Sequence, residues 1–574
     1  MSKVNHDALP LESHHSRSIR DWFPHHATTS RRVFLKTCGL SAAASLFMQQ
    51  NSELRGEASS EPVSTAKRSD PPALLKTAIE TGMDNLIATT QSISVNNPEE
   101  VAKTGHAKIW AFNIRHNVGR TIDGLLLGNA VVGKSVPEEL LNTMRRYLFA
   151  SLDNPTHLNG AYSIRERRLQ FHAHDVREAI LSLTALMRYR DDEEARKRGI
   201  ALLERLRQLI LPDGTWNVDE VSRFPDLAHG HFSEQIKENG KLFNIACWTR
   251  GRWIMALCKY YRLTQDARAL ELAERLVRLV RKVSFREDGT IQPTEFPHTH
   301  SITGTVHGLI DYGQLAGDEE TREHGRRIYD NGLSAVSASY GWSTEAAWGD
   351  PKLPNRGEVN NTGDMVQAAL LLGRSGLPHY FQDAERRIRG HLLPSQCTDG
   401  GWGFPGPNDQ EGGVGVRSVF DITAGAIQAL CETALTLVVP TPSGVQINMP
   451  MTNWIGPARV ESRLPDKWQL NVTVAKSGNV SVRIPSWAQR DKVQVTTAGQ
   501  PRRPVFNGTW LNVEGLSAGS LLTVTLPLVE REEMEQVNHQ PYRVLWRGDQ
   551  VVAISPSGKA EPIFPSIEEY RSYD

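Results

Sequence analysis

The sequence predicts a mainly α-helical protein in which an (α/α)6 toroid is followed by a C-terminal β-sandwich. Between about residues 71 and 438, apolar residues recur every three or four positions in paired segments, which Gly, Pro or Asp turns separate. About a dozen helices arranged as serial hairpins favour a toroid over a four-helix bundle. From residue 439 to residue 574 the apolar period is two, which is typical of strands.

The predicted helices share an apolar stripe of helical period between turn residues. They are residues 137–150, 176–189, 193–211, 243–262, 266–283, 305–315, 319–335, 364–372, 379–392 and 422–437. Turns at 212–216, 288–290 and 399–403 fall where loops at the mouth of a toroid are expected. Such loops often carry sugar-stacking aromatic side chains, so Trp402 and Trp342 are predicted to bind substrate.

Alternating apolar and polar residues mark the strands of the C-terminal region. Residues 468–474, 480–485 and 521–527 follow this pattern, and Gly, Asn and Pro turns separate them. Several short strands of this kind are the signature of a β-sandwich.

The first seventy residues are predicted to direct the protein to its compartment. The segment Ser30-Arg31-Arg32-Val33-Phe34-Leu35-Lys36 matches a twin-arginine export signal, and the apolar run 37–48 that follows is too short to span a membrane. We assign residues 1–50 to the signal region and the polar segment 51–70 to a linker. The prediction is a periplasmic or extracellular protein that is exported by the Tat machinery, with no membrane span in the mature chain.

Composition excludes several classes of function. The 65 basic and 65 acidic residues balance to a net charge of zero, which argues against a nucleic-acid partner or an anionic membrane surface. Five cysteines, of which Cys38 lies in the signal region, do not make a disulfide scaffold. Because the chain has no CxxC or CC pair, we predict neither a metal site nor a cofactor.

The segment 357–366, Gly-Glu-Val-Asn-Asn-Thr-Gly-Asp-Met-Val, resembles a motif of the β-L-arabinofuranosidase superfamily, glycoside hydrolase families 127 and 146. In that motif, roughly ExCNTxxM, the Glu handles the proton and the Cys binds zinc. Glu358 and Asn360 stand at those positions here, and an amide oxygen is a poor zinc ligand beside a thiolate.

The resemblance extends over most of the mature chain. Residues 481–488 are similar to the superfamily's LRIPSWA strand, and residues 543–548 are similar to its closing strand. His300-Ser301-Ile302-Thr303 resembles an HxNT segment, which implies that His300 binds sugar, and Ser343-Thr344-Glu345 resembles the segment that supplies a second carboxylate. Where the family has its CC pair, this chain has Phe420 and Asp421. The chain therefore resembles a divergent member that lacks the zinc and nucleophile cysteines.

Three functions are compatible with this pattern, and hydrolysis is favoured. A glycoside hydrolase would use Glu358 as the proton donor and a second carboxylate as nucleophile or base, since glycosidic cleavage generally requires paired carboxylates. Glu345 and Asp421 are the first candidates for the second carboxylate, and Asp364 and Asp399 are lower-ranked candidates. The structural alternatives are a helix N-cap for Asp421 and an N-terminal helix carboxylate for Glu358.

The two other functions use the same toroid. A polysaccharide lyase would abstract a proton with a His and neutralise a uronate carboxylate, with His300, His298, His174 and Asn360 as the candidates. A non-catalytic protein would bind glycans through groove aromatics, including Trp216, Trp342, Trp348 and Trp402. In each case the partner is an oligosaccharide or polysaccharide. The family's preference for L-arabinofuranose is not carried over, because the segment 240–243 lacks the family's His.

Overall fold

The computed structural model describes residues 74–93, 117–163, 168–224, 232–348, 355–410, 418–537 and 539–572. The predicted signal region and linker, residues 1–70, lie outside these ranges. Within the described residues, helices dominate the chain up to Leu437 and strands dominate it from Val438 onward. The predicted fold class, an (α/α)6 toroid followed by β-structure, is confirmed.

The helices of the toroid alternate between an outer and an inner layer. In chain order they are α1 (Leu74–Ile93), α2 (Asn117–Val132), α3 (Glu138–Leu152), α4 (Val176–Arg190), α5 (Glu193–Leu209), the short α6 (Val218–Ser222), α7 (Trp253–Thr264), α8 (Ala267–Val283), α9 (Thr299–Ala316), α10 (Glu319–Arg327), α11 (Val359–Arg374), α12 (His379–Arg387) and α13 (Phe420–Leu437). Helices α2, α4, α7, α9, α11 and α13 are the inner layer. An inner helix such as α11 is buried on all sides from Val359 to Gly373, whereas an outer helix such as α8 buries one apolar stripe.

The inner helices form a closed ring. Each packs on the next in the chain, and α13 packs on α2. Because an outer helix reverses the chain direction between successive inner helices, the inner helices run parallel to one another. Their N-termini therefore lie together at one end of the ring.

Outer helices α5, α8 and α10 start in the same way, which explains their boundaries. Asp192, Asp266 and Asp318 are their N-caps, and each side chain accepts a hydrogen bond from an amide in the first turn. The residues that end the preceding inner helices, Asp191, Gln265 and Gly317, all have positive φ. One turn geometry thus connects three of the hairpins.

The prediction of one helix over residues 243–262 is wrong at its start. Strands β3 (Gln235–Glu238) and β4 (Lys241–Asn244) form an antiparallel hairpin instead. Asn239 and Gly240 form its turn with φ of 50° and 79°, and Asn-Gly is the preferred dipeptide of a two-residue hairpin. Helical structure begins only at the π-helical turn Cys247–Gly251, directly before α7.

Two hairpins, β1 (Gly160–Ser163) with β2 (Arg168–Phe171) and β3 with β4, belong to the toroid region. After α13 the strands are β5 (Val438–Thr441), β6 (Gly444–Ile447), β7 (Ala458–Ser462), β8 (Trp468–Val474), β9 (Gly478–Arg483), β10 (Gln494–Thr497), β11 (Gln500–Arg502), β12 (Val505–Asn507), β13 (Trp510–Leu516), β14 (Leu521–Leu526), β15 (Glu530–Val537), β16 (Gln540–Arg547) and β17 (Gln550–Ser555). Two five-stranded sheets, in the orders β11-β10-β14-β8-β7 and β12-β13-β9-β6-β5, share one apolar core.

A separate three-stranded sheet, β15-β16-β17, packs against the toroid. Tyr340 and Trp342 of the toroid share an apolar cluster with Val544 and Trp546 of β16. A short helix, α14 (Ile567–Arg571), follows β17. None of the described helices combines the length and the apolar character needed to cross a bilayer.

Candidate functional site

A cluster of polar side chains lies where the N-termini of the inner helices meet. Helix N-termini carry a partial positive charge and unpaired amides, so this end of the ring favours negative groups. The side chains in or next to the first turns are Arg120 of α2, Arg177 and Glu178 of α4, Arg252 before α7, His300 of α9, Asn360 and Asp364 of α11 and Asp421 of α13.

Glu178 lies at the centre of this cluster and is fully buried. It accepts hydrogen bonds from Arg177 Nε at 3.1 Å and Nη2 at 2.8 Å, and from Arg252 Nη2 at 2.9 Å. Arg120 Nε lies 3.7 Å from the same oxygen. Burial and the neighbouring Arg177 lower the pKa of Arg252 to about 9. One carboxylate therefore balances part of the charge of three buried guanidiniums.

His300 links the arginines to Asp364. Its Nε2 lies 2.9 Å from Arg177 Nη2 and 3.1 Å from Arg252 Nη2, and its Nδ1 lies 3.0 Å from Asp364 Oδ2. Burial and the charge of Arg177 hold the pKa of His300 well below its usual range. The ring is therefore neutral, with Nε2 accepting from the guanidiniums and the proton on Nδ1, the nitrogen that lies beside the Asp364 carboxylate.

Glu358 is the N-cap residue of α11, and its side chain is 5% exposed. It does not cap the helix with its side chain. Asn360 Nδ2 instead donates to Glu358 Oε1 at 2.7 Å. Burial raises the pKa of Glu358, and the nearby Asp421 raises it further. A buried carboxyl of this kind keeps its proton at higher pH than an exposed one, as a general acid requires.

Asp421 lies in the first turn of α13, and 19% of its side chain is exposed. The N-cap of this helix is Val419, so Asp421 is not the cap. Its Oδ2 is 3.4 Å from Arg120 Nη1. On the neighbouring inner helix α11, Asn360 Oδ1 points at Gly425 of α13, where a Cβ would collide with it. Asn360 thus fits between Glu358 and the α13 side of the site only because residue 425 is glycine.

Glu345 lies on the same edge as Glu358. Thr344 pairs with Gly357 in an antiparallel bridge, and the Glu345 amide donates to the Arg356 carbonyl. In this register Glu345 and Glu358 are diagonal neighbours on one face, a relation that separates residues by about 7–8 Å. Arg356 Nε lies 2.6 Å from Glu345 Oε2, and 29% of the Glu345 side chain is exposed.

His174 lies at the rim of the arginine cluster. Arg252 Nη1 is within hydrogen-bond distance of both ring nitrogens, and Nδ1 is 3.1 Å from the Trp248 carbonyl oxygen. The His174 ring packs on the His298 ring at 5.6 Å, and His298 packs on His300 at 6.1 Å. The predicted residues Glu358, Asp421, Asn360, His300 and His174 are therefore brought together around three arginines.

The prediction that Trp342 and Trp402 stack on sugar is wrong. Trp342 is 1% exposed and Trp402 is 0% exposed. Their indole N–H groups donate to the carbonyl oxygens of Pro405 at 3.0 Å and Leu392 at 2.7 Å. Both rings are core residues beneath the loops. Asp399 also lies outside the cluster, since it accepts hydrogen bonds from Gly401 and Ser418.

A different aromatic group borders the site. Trp348 is 44% exposed, and its Nε1 lies 3.4 Å from the Glu295 carbonyl oxygen. The ring of Trp248 packs on Phe296 at 5.4 Å and on His174 at 5.7 Å. The two indoles therefore flank residues 295 and 296, beside the Glu345 edge.

Sequence reasoning missed the three arginines and Glu178. Arg177 and Glu178 are adjacent charges at the start of a helix that is buried on every side from Val176 to Met187. A charged side chain on a helix that is buried on every side needs a buried partner. The two charges in this helix were therefore the sequence feature that could have predicted a buried ion-pair cluster. Which partners it meets depends on the closure of the ring, so the sequence alone did not identify them.

The site does not fit the zinc ion of the resembling family. In the resemblance drawn from the sequence, Asn360 aligns with a thiolate ligand, and in the structure its amide donates to Glu358. The four described cysteines are buried, and burial raises the pKa of Cys247, Cys258 and Cys431. Across the described ranges, no three His, Cys, Asp or Glu side chains are grouped so that they could hold a metal.

The architecture is that of the toroidal glycoside hydrolases. A solved GH127 β-arabinofuranosidase matches this chain with a TM-score of 0.55 at 16% identity, over 84% of this chain and 81% of that one. A second solved glycoside hydrolase matches with a TM-score of 0.54 at 14% identity, over 82% and 80%. A GH127 β-L-arabinofuranosidase from Geobacillus stearothermophilus T6 matches with a TM-score of 0.51 at 12% identity, over 83% and 80%.

More particularly, the chain has the fold of the GH127 β-L-arabinofuranosidases, and the resemblance found in the sequence is confirmed at that level. No family model matches the sequence, and no curated protein matches it. At these identities the likeness defines the fold, so the reaction has to be argued from the site.

Proposed function

We propose that this protein is a glycoside hydrolase that uses paired carboxylates without zinc, with Glu358 as the proton donor and Asp421 as its partner. The observation that carries this proposal is the burial of the Glu358 carboxyl close to a second carboxyl, that of Asp421. The Glu358 carboxyl is buried at the mouth of a glycosidase fold, and burial together with Asp421 raises its pKa. Two carboxyl groups in different environments are the arrangement that glycosidic cleavage requires.

The surroundings of the two carboxyl groups suit one to be the proton donor and the other to be the nucleophile or base. Glu358, held in place by Asn360, delivers a proton to the leaving oxygen when it is in its protonated form. Asp421 is more exposed and faces Arg120, so it either attacks the anomeric carbon or activates water as a base. Glu345, diagonal to Glu358 and partly exposed, is the other carboxyl within range of that role. Asp364 is already engaged by His300 and Thr303, which argues against it as the partner.

The alternatives from the sequence are less well supported. A lyase needs a histidine that can take a proton from the substrate. His300 is 2% exposed, and its Nε2 already faces two guanidiniums. A binding protein has little need for a buried carboxyl with a raised pKa. Export by the twin-arginine route to the periplasm or beyond is part of the proposal and depends on Arg31 and Arg32.

The test is turnover of a panel of plant and algal polysaccharides and aryl glycosides by the secreted form, with and without EDTA. We expect new reducing ends, no ultraviolet signal from unsaturated uronates, no effect of EDTA, and a loss of about 10²- to 10⁴-fold in Asp421→Asn. Unsaturated products would identify a lyase, and binding without turnover would identify a binding protein. Retention of an Arg31→Lys, Arg32→Lys variant in the cytoplasm checks export.

Trp348 is proposed to stack on a sugar ring of the substrate, because it is an exposed indole beside the Glu345 edge. We expect Trp348→Ala to raise KM for a polysaccharide by about two- to tenfold, the value of one aromatic stacking contact. The kcat for a small aryl glycoside should not change. Trp510→Ala, which removes an indole from the sandwich, is the matched control. Equal KM values for the two variants would contradict a role in binding.

A further inference from the structure

Glu358 is supported from behind by a loop that we define as the backing loop, residues 402–410. The residues on either side of Glu358 form backbone hydrogen bonds with the backing loop. The Gly357 amide donates to the Pro405 carbonyl oxygen at 2.9 Å, and the Val359 amide donates to the Gly403 carbonyl oxygen at 3.3 Å. A shift of the backing loop would therefore move the backbone that carries the proposed proton donor.

The backing loop is held in turn by the end of the chain. Residues 556–566, between β17 and α14, form a segment that we call the C-terminal strap. Asn408 Nδ2 donates to the carbonyl oxygens of Ile554 at 3.2 Å and Phe564 at 3.1 Å, while its Oδ1 accepts from the Phe564 amide at 2.9 Å. Asn408 is 2% exposed, so these bonds are shielded from water.

Further contacts join the same two segments. Asp409 Oδ2 accepts from the amides of Lys559 and Ala560, both at 2.8 Å. The Gln410 amide donates to the Glu561 carbonyl oxygen at 3.2 Å. Gly558 approaches the Asn408 carbonyl so closely that a Cβ there would collide with it. The strap and the backing loop therefore behave as one structural unit.

We infer that Asn408 is a positioning residue, through which the C-terminal strap fixes the placement of Glu358. This inference rests on the proposed function for its catalytic consequence. Removing the Asn408 side chain leaves two carbonyls and one amide without their buried partner, and unsatisfied buried polar groups destabilise the segments that carry them. The loosened loop then transmits its motion to residues 357–359. A misplacement of about 1 Å can cost about 100-fold in rate.

The experiment compares Asn408→Ala and Asn408→Asp with Gln382→Ala in the full chain. Gln382 is a matched control because it also joins the toroid to the C-terminal region, donating to Asp549 Oδ1 at 2.9 Å and accepting from the Ser486 amide at 2.9 Å. Residue-resolved hydrogen exchange follows the amides of Gly357 and Val359, and steady-state kinetics follows kcat and KM.

We expect exchange at these two amides to accelerate in the Asn408 variants and to stay unchanged in Gln382→Ala. We also expect kcat to fall about 10- to 100-fold with KM nearly constant. Asn408→Asp keeps the size and one acceptor, so it provides the test if Asn408→Ala does not fold. Exchange at residues 357 and 359 equal to that of the parent, in any folded Asn408 variant, overturns the inference. If exchange accelerates but the parent protein hydrolyses no glycan, the proposed function is wrong, while the structural link between the strap and residues 357–359 is still supported.

Discussion

Replacing Glu358 by Gln is expected to lower kcat by about 10²- to 10⁴-fold, the usual contribution of a general acid. Gln has the same shape and still accepts the hydrogen bond from Asn360 Nδ2, so the local structure should persist. What is lost is the transferable proton. We therefore expect KM and the thermal midpoint to stay close to those of the parent protein, as measured by steady-state kinetics and calorimetry.

The pH profile gives a second measurement of the same group. A proton donor works only while it is protonated, so activity falls as the pH rises through the pKa of Glu358. Because burial and Asp421 raise that pKa, the alkaline limb should lie above the ordinary carboxyl range. Asp421→Asn removes one of the causes and should move this limb of the residual activity to lower pH. Asp399→Asn, outside the cluster, is the control, and an equal shift in both variants would refute the assignment.

Replacing Glu178 by Gln is expected to cost about 3–5 kcal/mol of stability, the range found when one partner of a buried ion pair is removed. Glu178 is fully buried, and it is the shared acceptor of Arg177 and Arg252, with Arg120 close by. Gln keeps an acceptor oxygen but not the charge, so three buried guanidiniums lose a common counter-ion.

Chemical denaturation at neutral pH measures this loss. The control is Glu194→Gln, since Glu194 forms exposed ion pairs with Lys197 and Arg198 on helix α5. Exposed pairs contribute little, so the control should unfold at the midpoint of the parent protein. If the Glu178 variant matched the control, the arginine cluster would not depend on this carboxylate for its stability.

The sequence predicted the architecture because the toroid has a strong pattern. Apolar period and turn residues were sufficient to find the hairpins and their order. The prediction failed at the starts of inner helices: α9 begins at Thr299 and α11 at Val359, where the pattern suggested residues 305 and 364. These first turns contain polar residues such as His300 and Asn360, which face the ring axis rather than solvent.

The same feature explains what could be predicted of the site. Residues that lie in a recognisable motif, such as Glu358 and Asp421, could be named from the resemblance. Arg120 and Arg252 come from distant parts of the chain and have no motif of their own, so only the closed ring brings them to Glu178. Trp342 and Trp402 follow loop turns as a sugar-binding indole would, and burial alone identifies them as core.

The closed ring also determines when the site exists. Arg120, on the first inner helix, and Asp421, on the last, are 301 residues apart in sequence, and they meet only when α13 packs on α2. The ribosome must therefore finish nearly the whole toroid before Glu358 and Asp421 can be brought together. An export route that carries folded proteins, as the twin-arginine segment predicts, would deliver a site that was completed on the cytoplasmic side.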